Sequence, residues 1–66
     1  MIREVEAAYR NGRTTALVMG TWRLRWQERQ LRSQAGRLTR AELAYLAGLR
    51  DELRERGWEI PELWPS

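Results

Sequence analysis

Apolar residues recur every three or four positions over two long stretches of the chain, which predicts two amphipathic helices. The better marked one covers residues 40–56. Thr39 precedes it as an N-cap, and Glu42 lies at the third helical position, the spacing of a capping box. Gly57 follows it, and Trp58 is placed to pack back on the last turn, as in a Schellman-type cap. One face of this helix is a ridge of Leu43, Leu46, Leu49 and Leu53.

A second helix is predicted over residues 15–34, with Thr14 or Thr15 as its N-cap and Gly36 just beyond its end. On a helical wheel it has two apolar faces. One face holds Leu17, Gly20, Leu24, Leu31 and Ala35. The other holds Val18, Met19, Trp22 and Trp26, and Arg25, Arg29 and Arg32 lie between the two. A helix in a two-helix hairpin needs only one buried face, so we expect the second face to meet a partner.

The two ends of the chain carry weaker signals. Apolar spacing over residues 2–9 predicts a short helix closed by Asn11-Gly12, and the alternative is a hairpin turn at that dipeptide, which would make residues 2–10 a strand. The helix is favoured because Ala7 and Ala8 are poor strand residues. The prolines of residues 58–66 predict an extended tail. Its apolar side chains need a cover, in the same chain or in another: Ile60, Leu63 and Trp64.

These elements predict an all-α fold with a single small domain over residues 1–66. It is expected to be a helical hairpin of two main helices, with a short N-terminal helix and an extended tail. The last helix also has a small-residue face opposite its leucine ridge, made of Ala41, Ala44 and Gly48, which would let another helix approach closely. Because the core of a domain of 66 residues supplies only about 3–5 kcal/mol, we expect self-association through this face as a homodimeric bundle.

The composition excludes several kinds of chemistry. The chain has no Cys, no His and no Lys, which excludes disulfides, thiolate or imidazole metal ligands, imidazole acid–base catalysis and Schiff-base chemistry. The acidic cluster of Asp51, Glu52 and Glu55 alternates with arginines, which is typical of a solvated helix surface. A short helical chain also offers no cleft around paired carboxylates. We therefore expect no enzyme activity, no cofactor and no metal site.

Neither a membrane span nor a signal peptide is visible in the sequence. The longest uninterrupted apolar run, residues 16–20, is far shorter than the roughly 18 residues that span a bilayer. Glu4 and Glu6 lie where a signal peptide would be apolar. We expect a cytoplasmic location and no membrane partner.

Charge and aromatic residues coincide in the middle of the chain. Residues 14–40 carry six Arg and one Glu, whereas residues 41–66 carry three Arg and six acidic residues. We define the Trp/Arg face as the predicted partner-binding residues Met19, Trp22, Arg25, Trp26, Arg29 and Arg32. Trp and Arg are enriched among the residues that dominate protein–protein binding energies. The sequence therefore predicts a non-enzymatic adaptor, regulator or inhibitor that binds an unidentified protein.

Two alternatives remain open for the Trp/Arg face. The same residues would suit a regulator that binds DNA or RNA, because Arg neutralises phosphates and indoles stack on bases. A short turn around Gly36, with Arg37 and Arg40 at the start of the next helix, leaves a helix-turn-helix open. The net charge of only +3 favours a protein partner. The second alternative is burial of Trp22 and Trp26 within the chain's own fold, against the C-terminal tail or the first helix.

Overall fold

Three helices and one short 3-10 turn follow one another over residues 2–63. The structure is a computed structural model that describes residues 2–63, without the side chain of Ile2. Helix α1 covers Ile2–Leu17, α2 covers Thr21–Ser33 and α3 covers Arg40–Glu55, with the turn Ala35–Arg37 between α2 and α3. α3 packs against both α1 and α2, most extensively against α1. Residues 2–63 contain no strand, so the predicted all-α class is confirmed.

The first helix is longer than its sequence predicts. Instead of closing at Asn11-Gly12, α1 continues to Leu17 and includes Thr14 and Thr15, the predicted N-cap of the next helix. The hairpin-turn alternative is also wrong. A β-carbon at Gly12 would collide with the backbone carbonyl of Tyr45 in α3, so glycine here lets the two helices lie in direct contact. This packing offsets the roughly 1 kcal/mol that a glycine costs inside a helix.

The prediction of one continuous helix over residues 15–34 is wrong, because α1 ends at Leu17 and α2 begins only at Thr21. Gly20 is the N-cap of α2, with extended backbone angles (φ −66°, ψ 150°) and no side-chain cap. The guanidinium of Arg56 donates to the carbonyls of Ala16 at 2.9 Å and Met19 at 3.0 Å. It also donates to the hydroxyl of Thr21 at 3.0 Å. Arg56 thus supplies donors to carbonyls at the end of α1. Within residues 2–63 the fold is accordingly two helices, α1 and α2, packed against α3, and not a hairpin of two main helices.

The predicted last helix is confirmed to within a residue at its C-terminal end. The hydroxyl of Thr39 accepts from the N–H of Glu42 at 3.1 Å, and the N–H of Thr39 donates to the Glu42 carboxylate at 3.0 Å. Gly57 has the left-handed φ of 92°. The N–H groups of Gly57 and Trp58 donate to carbonyls of the last turn at 2.9 and 3.1 Å, which is the Schellman pattern.

The core lies between α3 and the other two helices. Its fully buried members include Ala16 of α1, Leu24 of α2 and three residues of the predicted leucine ridge, namely Leu46, Leu49 and Leu53. Leu17 is instead 62% exposed, because the break assigns it to α1 and separates it from the apolar face of α2.

The tail covers one side of this core. Residues 58–63 form no helix, and Trp58 and Ile60 pack against the buried cluster. Trp64, predicted to need a cover, lies outside the described residues. Among residues 2–63, no helix has both the length and the hydropathy to cross a membrane.

Candidate interaction groove

An open groove of about 500 Å³ lies between α2 and the tail. One wall belongs to α2 and consists of Trp22, Arg25, Trp26, Glu28, Arg29 and Arg32. The other consists of Leu53 at the end of α3 and the tail residues Trp58, Glu59, Ile60 and Pro61. Five of the six residues predicted as the Trp/Arg face therefore line one groove.

The helical spacing of α2 explains why these side chains share a wall. Trp22, Arg25, Trp26 and Arg29 follow one another at intervals of three, one and three residues, so they form a single stripe. Leu24 lies on the opposite side and is fully buried. Met19, the sixth predicted residue, precedes α2 and packs against the core instead. The break before Gly20 is what separates Met19 from the stripe.

Residues 2–63 leave the two tryptophans of α2 largely exposed. Trp22 is 75% exposed and Trp26 is 60% exposed. Trp22 makes an edge-to-face contact with Trp58, with ring centroids 6.2 Å apart, but this covers only part of it. At the corner between α1 and α2, Leu17 and Val18 are exposed as well. Large exposed apolar side chains next to a polar groove are typical of interaction surfaces.

Arg25 is held in place by the indoles of both walls. Its guanidinium carbon lies 3.9 Å from the ring centroid of Trp58 and 4.9 Å from that of Trp22. A cation over an indole face is attracted by the negative face of the ring. Within residues 2–63, Arg25 takes part in none of the side-chain hydrogen bonds or ion pairs of the fold. Its guanidinium therefore contacts two indoles, and its N–H groups remain available to bind a partner.

A buried ion pair underlies the groove. Glu28 is the one acidic residue of α2; its carboxylate accepts from Arg50 at 2.8 Å and lies 3.6 Å from the Nε of Arg32. Desolvation lowers the pKa of the Arg50 guanidinium, and the adjacent Glu28 carboxylate opposes this shift. Arg50 also donates to the carbonyl of Pro61, which anchors the tail wall. The positive charge of Arg50 offsets the negative charge of Glu28. The α2 wall therefore keeps the positive charge of its arginines.

The predicted self-association face is partly used within the chain. A β-carbon at Gly48 would lie 2.6 Å from the carbonyl oxygen of Tyr9 and 2.7 Å from the backbone nitrogen of Arg13. Gly48 is therefore covered by α1 of the same chain, which corrects its assignment to a contact with a second copy. Ala41 and Ala44 are half-buried. The close approach expected from these small residues does occur, but at Gly48 it joins α1 to α3.

The acidic cluster of α3 binds α1. The hydroxyl of Tyr9 donates to Asp51 at 2.5 Å, and this hydrogen bond is the main reason why the pKa of Tyr9 is raised. Arg13 forms an ion pair with Glu55 at 2.9 Å. Within residues 2–63, no group of acidic side chains is arranged to hold a metal ion. These carboxylates therefore link two helices in addition to forming part of the solvated surface that their pattern predicts.

The sequence leaves open a contact between the tail and the tryptophans of α2, but it does not predict that the tail forms the second wall of a groove. One local signal for it existed: the cap at Gly57 reverses the chain and orients Trp58 toward the core. The hydrogen bond from Arg50 to the carbonyl of Pro61 has no such signal, because nothing in the sequence around either residue predicts that the two are in contact.

No protein-family model matches this chain, and neither the curated proteins nor the solved structures contain a match.

Proposed function

We propose that this chain is a non-enzymatic interaction module, acting as an adaptor, regulator or inhibitor, and that its groove binds a segment of a protein partner. The observation that carries the proposal is the exposure of Trp22 and Trp26 beside Arg25 and Arg29 on one groove wall. Binding would remove indole surface from water, and Arg and Trp are the residue types that most often dominate such interfaces.

Affinity capture followed by mass spectrometry tests this proposal. The test variant combines Trp26→Ala with Arg29→Ala, because both side chains are exposed and line the groove. The matched control combines Val5→Ala with Arg23→Ala, which removes one apolar group and one charge from exposed positions outside the groove. We expect the wild type and the control to capture the same protein and the test variant to lose it, with unchanged helical circular dichroism. Retention by the test variant would show that the groove is not the binding site.

A nucleic acid is the second candidate partner, supported by the charge of α2. Four arginines lie on this helix, and its one carboxylate, Glu28, is buried against Arg50. Such a surface attracts polyanions, and contacts with phosphates make the logarithm of affinity fall linearly with the logarithm of salt concentration. A salt titration with single-stranded DNA and with RNA tests this candidate, and no measurable binding at low salt would remove it.

Self-association as a homodimer is the third part of the proposal. With Gly48 covered by α1, the part of the predicted face available to a second copy is the half-buried pair Ala41 and Ala44. Sedimentation equilibrium over a range of concentrations should give the mass of two copies. Ala41→Glu should reduce that mass to one copy, because a charge would be placed in the interface, whereas an acid in the first helical turn leaves α3 stable. A single-copy mass for the wild type would contradict the dimer.

A further inference from the structure

Two of the three arginines that line the groove, Arg25 and Arg29, differ from the arginines that form ion pairs, which include Arg32. Arg13 and Arg56 form ion pairs with carboxylates of α3, and Arg50 is paired with Glu28. Arg25 makes cation–π contacts with two indoles, and Arg29 is exposed. Neither belongs to an ion pair within residues 2–63. The groove thus holds two cations that no carboxylate of the described part of the chain neutralises.

Arg25 is pre-organised to bind an anion. Cation–π contacts with Trp22 and Trp58 hold its guanidinium beside both indoles, which reduces the side-chain entropy that is lost when its N–H groups bind an anion. A guanidinium edge matches a carboxylate with two parallel hydrogen bonds. Arg29 follows one helical turn later on the same wall. We therefore take these two residues as a pair of anion subsites.

The spacing of the two subsites indicates an extended peptide. Residues four apart on a helix are separated by about 6 Å along its axis. Alternate residues of an extended chain point to the same side and are about 6.6 Å apart. Two acidic residues separated by one other residue would therefore meet Arg25 and Arg29 together. The intervening side chain would point the other way, toward the tail wall, where Ile60 and Pro61 are apolar.

The tail wall favours a peptide over a polynucleotide. Glu59 lines this wall and would repel any phosphate or carboxylate that faces it, so the occupant must carry its charges on the α2 side and uncharged groups on the tail side. An alternating acidic and apolar peptide places its carboxylates on the α2 side and its apolar side chains beside Ile60 and Pro61. We infer that the groove is a receptor for an extended acidic peptide in which carboxylates alternate with apolar residues, bound by Arg25 and Arg29. This inference rests on the proposed function, since it specifies the protein segment that the groove binds.

Fluorescence anisotropy at low salt tests the inference with two labelled peptides of the same composition. In one peptide glutamates and leucines alternate, and in the other the glutamates are grouped at one end. We expect the alternating peptide to bind at least tenfold more tightly. Equal affinities would overturn the inference, because they would show attraction to charge without recognition of spacing. Failure of both peptides to bind would also overturn it.

Charge variants then locate the binding. Arg29→Ala should reduce the affinity for the alternating peptide by about tenfold or more, which is the effect typical of a lost charge-assisted hydrogen bond. Arg25→Lys, which keeps the charge but loses the planar fork, should weaken it by a similar factor. Arg23→Ala removes the same charge from an exposed position of α2 outside the groove and should change affinity by less than about twofold. Equal effects of Arg23→Ala and Arg29→Ala would overturn the inference.

Two further experiments distinguish a failure of this inference from a failure of the proposed function. If an oligothymidylate competes for the groove more strongly than the alternating peptide at the same salt concentration, the occupant is a nucleic acid and the inference is wrong. If affinity capture yields a partner that depends on Trp26 and Arg29 while neither peptide binds, the protein-binding proposal stands and only the acidic-peptide inference fails. Because Arg29 is exposed, its variant is expected to fold, which circular dichroism verifies.

Discussion

Glu28 and Arg50 form an ion pair of 2.8 Å in which each side chain is only 4% exposed. The pair joins α2 to α3, and Arg50 also binds the carbonyl of Pro61 in the tail. A single guanidinium therefore connects the two walls of the groove. Charges removed from water in this way are strongly penalised unless both partners are present.

Breaking this pair should destabilise the fold more than any surface change. Glu28→Leu or Arg50→Met alone leaves a buried charge without its partner, which typically costs about 3–5 kcal/mol, comparable to what the core of so small a domain supplies. Urea denaturation would measure this loss. The double variant should recover most of it, because an apolar pair of similar volume replaces the ion pair.

The control for the ion pair is the exposed pair of Arg54 and Asp51, at 3.1 Å. Arg54→Ala should cost less than about 1 kcal/mol, since solvent screens surface pairs. The two single variants and the double variant of Glu28 and Arg50 form a double-mutant cycle. If the losses of unfolding free energy in the single variants add up to the loss in the double variant, the two residues are not directly coupled.

Gly48→Ala should be destabilising even though alanine favours helices. The new methyl would lie 2.6 to 2.9 Å from backbone atoms of α1, and backbone does not move aside easily. We expect a net loss of about 1–3 kcal/mol, as for other overpacked sites, measured by thermal denaturation. Gly36→Ala is the control, because nothing lies within 4 Å of its added methyl. Equal stability of the two variants would mean that α1 and α3 do not approach at Gly48.

The capping box of α3 should make stability depend on pH. Hydrogen bonds from the backbone N–H of Thr39, and then from its side chain, lower the pKa of Glu42 below its usual 4.5. The stabilisation by ionised Glu42 is thus present above pH 4.5 and is lost as the pH falls through the lower pKa of the folded state.

Glu42→Gln should remove this component of the acid sensitivity. Melting temperatures of the wild type and the variant, followed by circular dichroism, should differ at pH 7 and converge as the wild-type carboxyl becomes protonated. Thr39→Ala should cost about 1 kcal/mol at pH 7 through the loss of the N-cap. Melting curves that stay parallel over the whole acid range would contradict the role assigned to Glu42.

Gly20→Ser should stabilise the protein. Gly20 is an N-cap in the extended conformation that serine favours, it has no side-chain cap, and nothing lies within 4 Å of an added β-carbon. A serine hydroxyl would accept a hydrogen bond from the first turn of α2 and would restrict the unfolded chain. The gain should be about 0.5–1 kcal/mol by urea denaturation. A loss of stability would show that the break at Gly20 needs conformations other than the one described.

Local signals were sufficient to predict α3 and one wall of the groove. The capping box joins residues three apart, and the Schellman hydrogen bonds span one turn. Both motifs therefore depend only on residues that are close together in the sequence. The stripe of Trp22, Arg25, Trp26 and Arg29 likewise follows from helical periodicity alone. The stripe shows only which side chains lie on the same face of α2, so the identity of the molecule that binds there remains a proposal.

The sequence by itself determined the helical class, the ends of α3 and the composition of the α2 stripe, since each depends on residues within about one turn of each other. The tertiary structure alone decided where α1 ends, what Gly48 contacts and what forms the second wall. Arg56 meets Ala16 across 40 positions of the chain, and Arg50 meets Glu28 across 22. Such contacts depend on how helices pack together, and no local pattern specifies that packing.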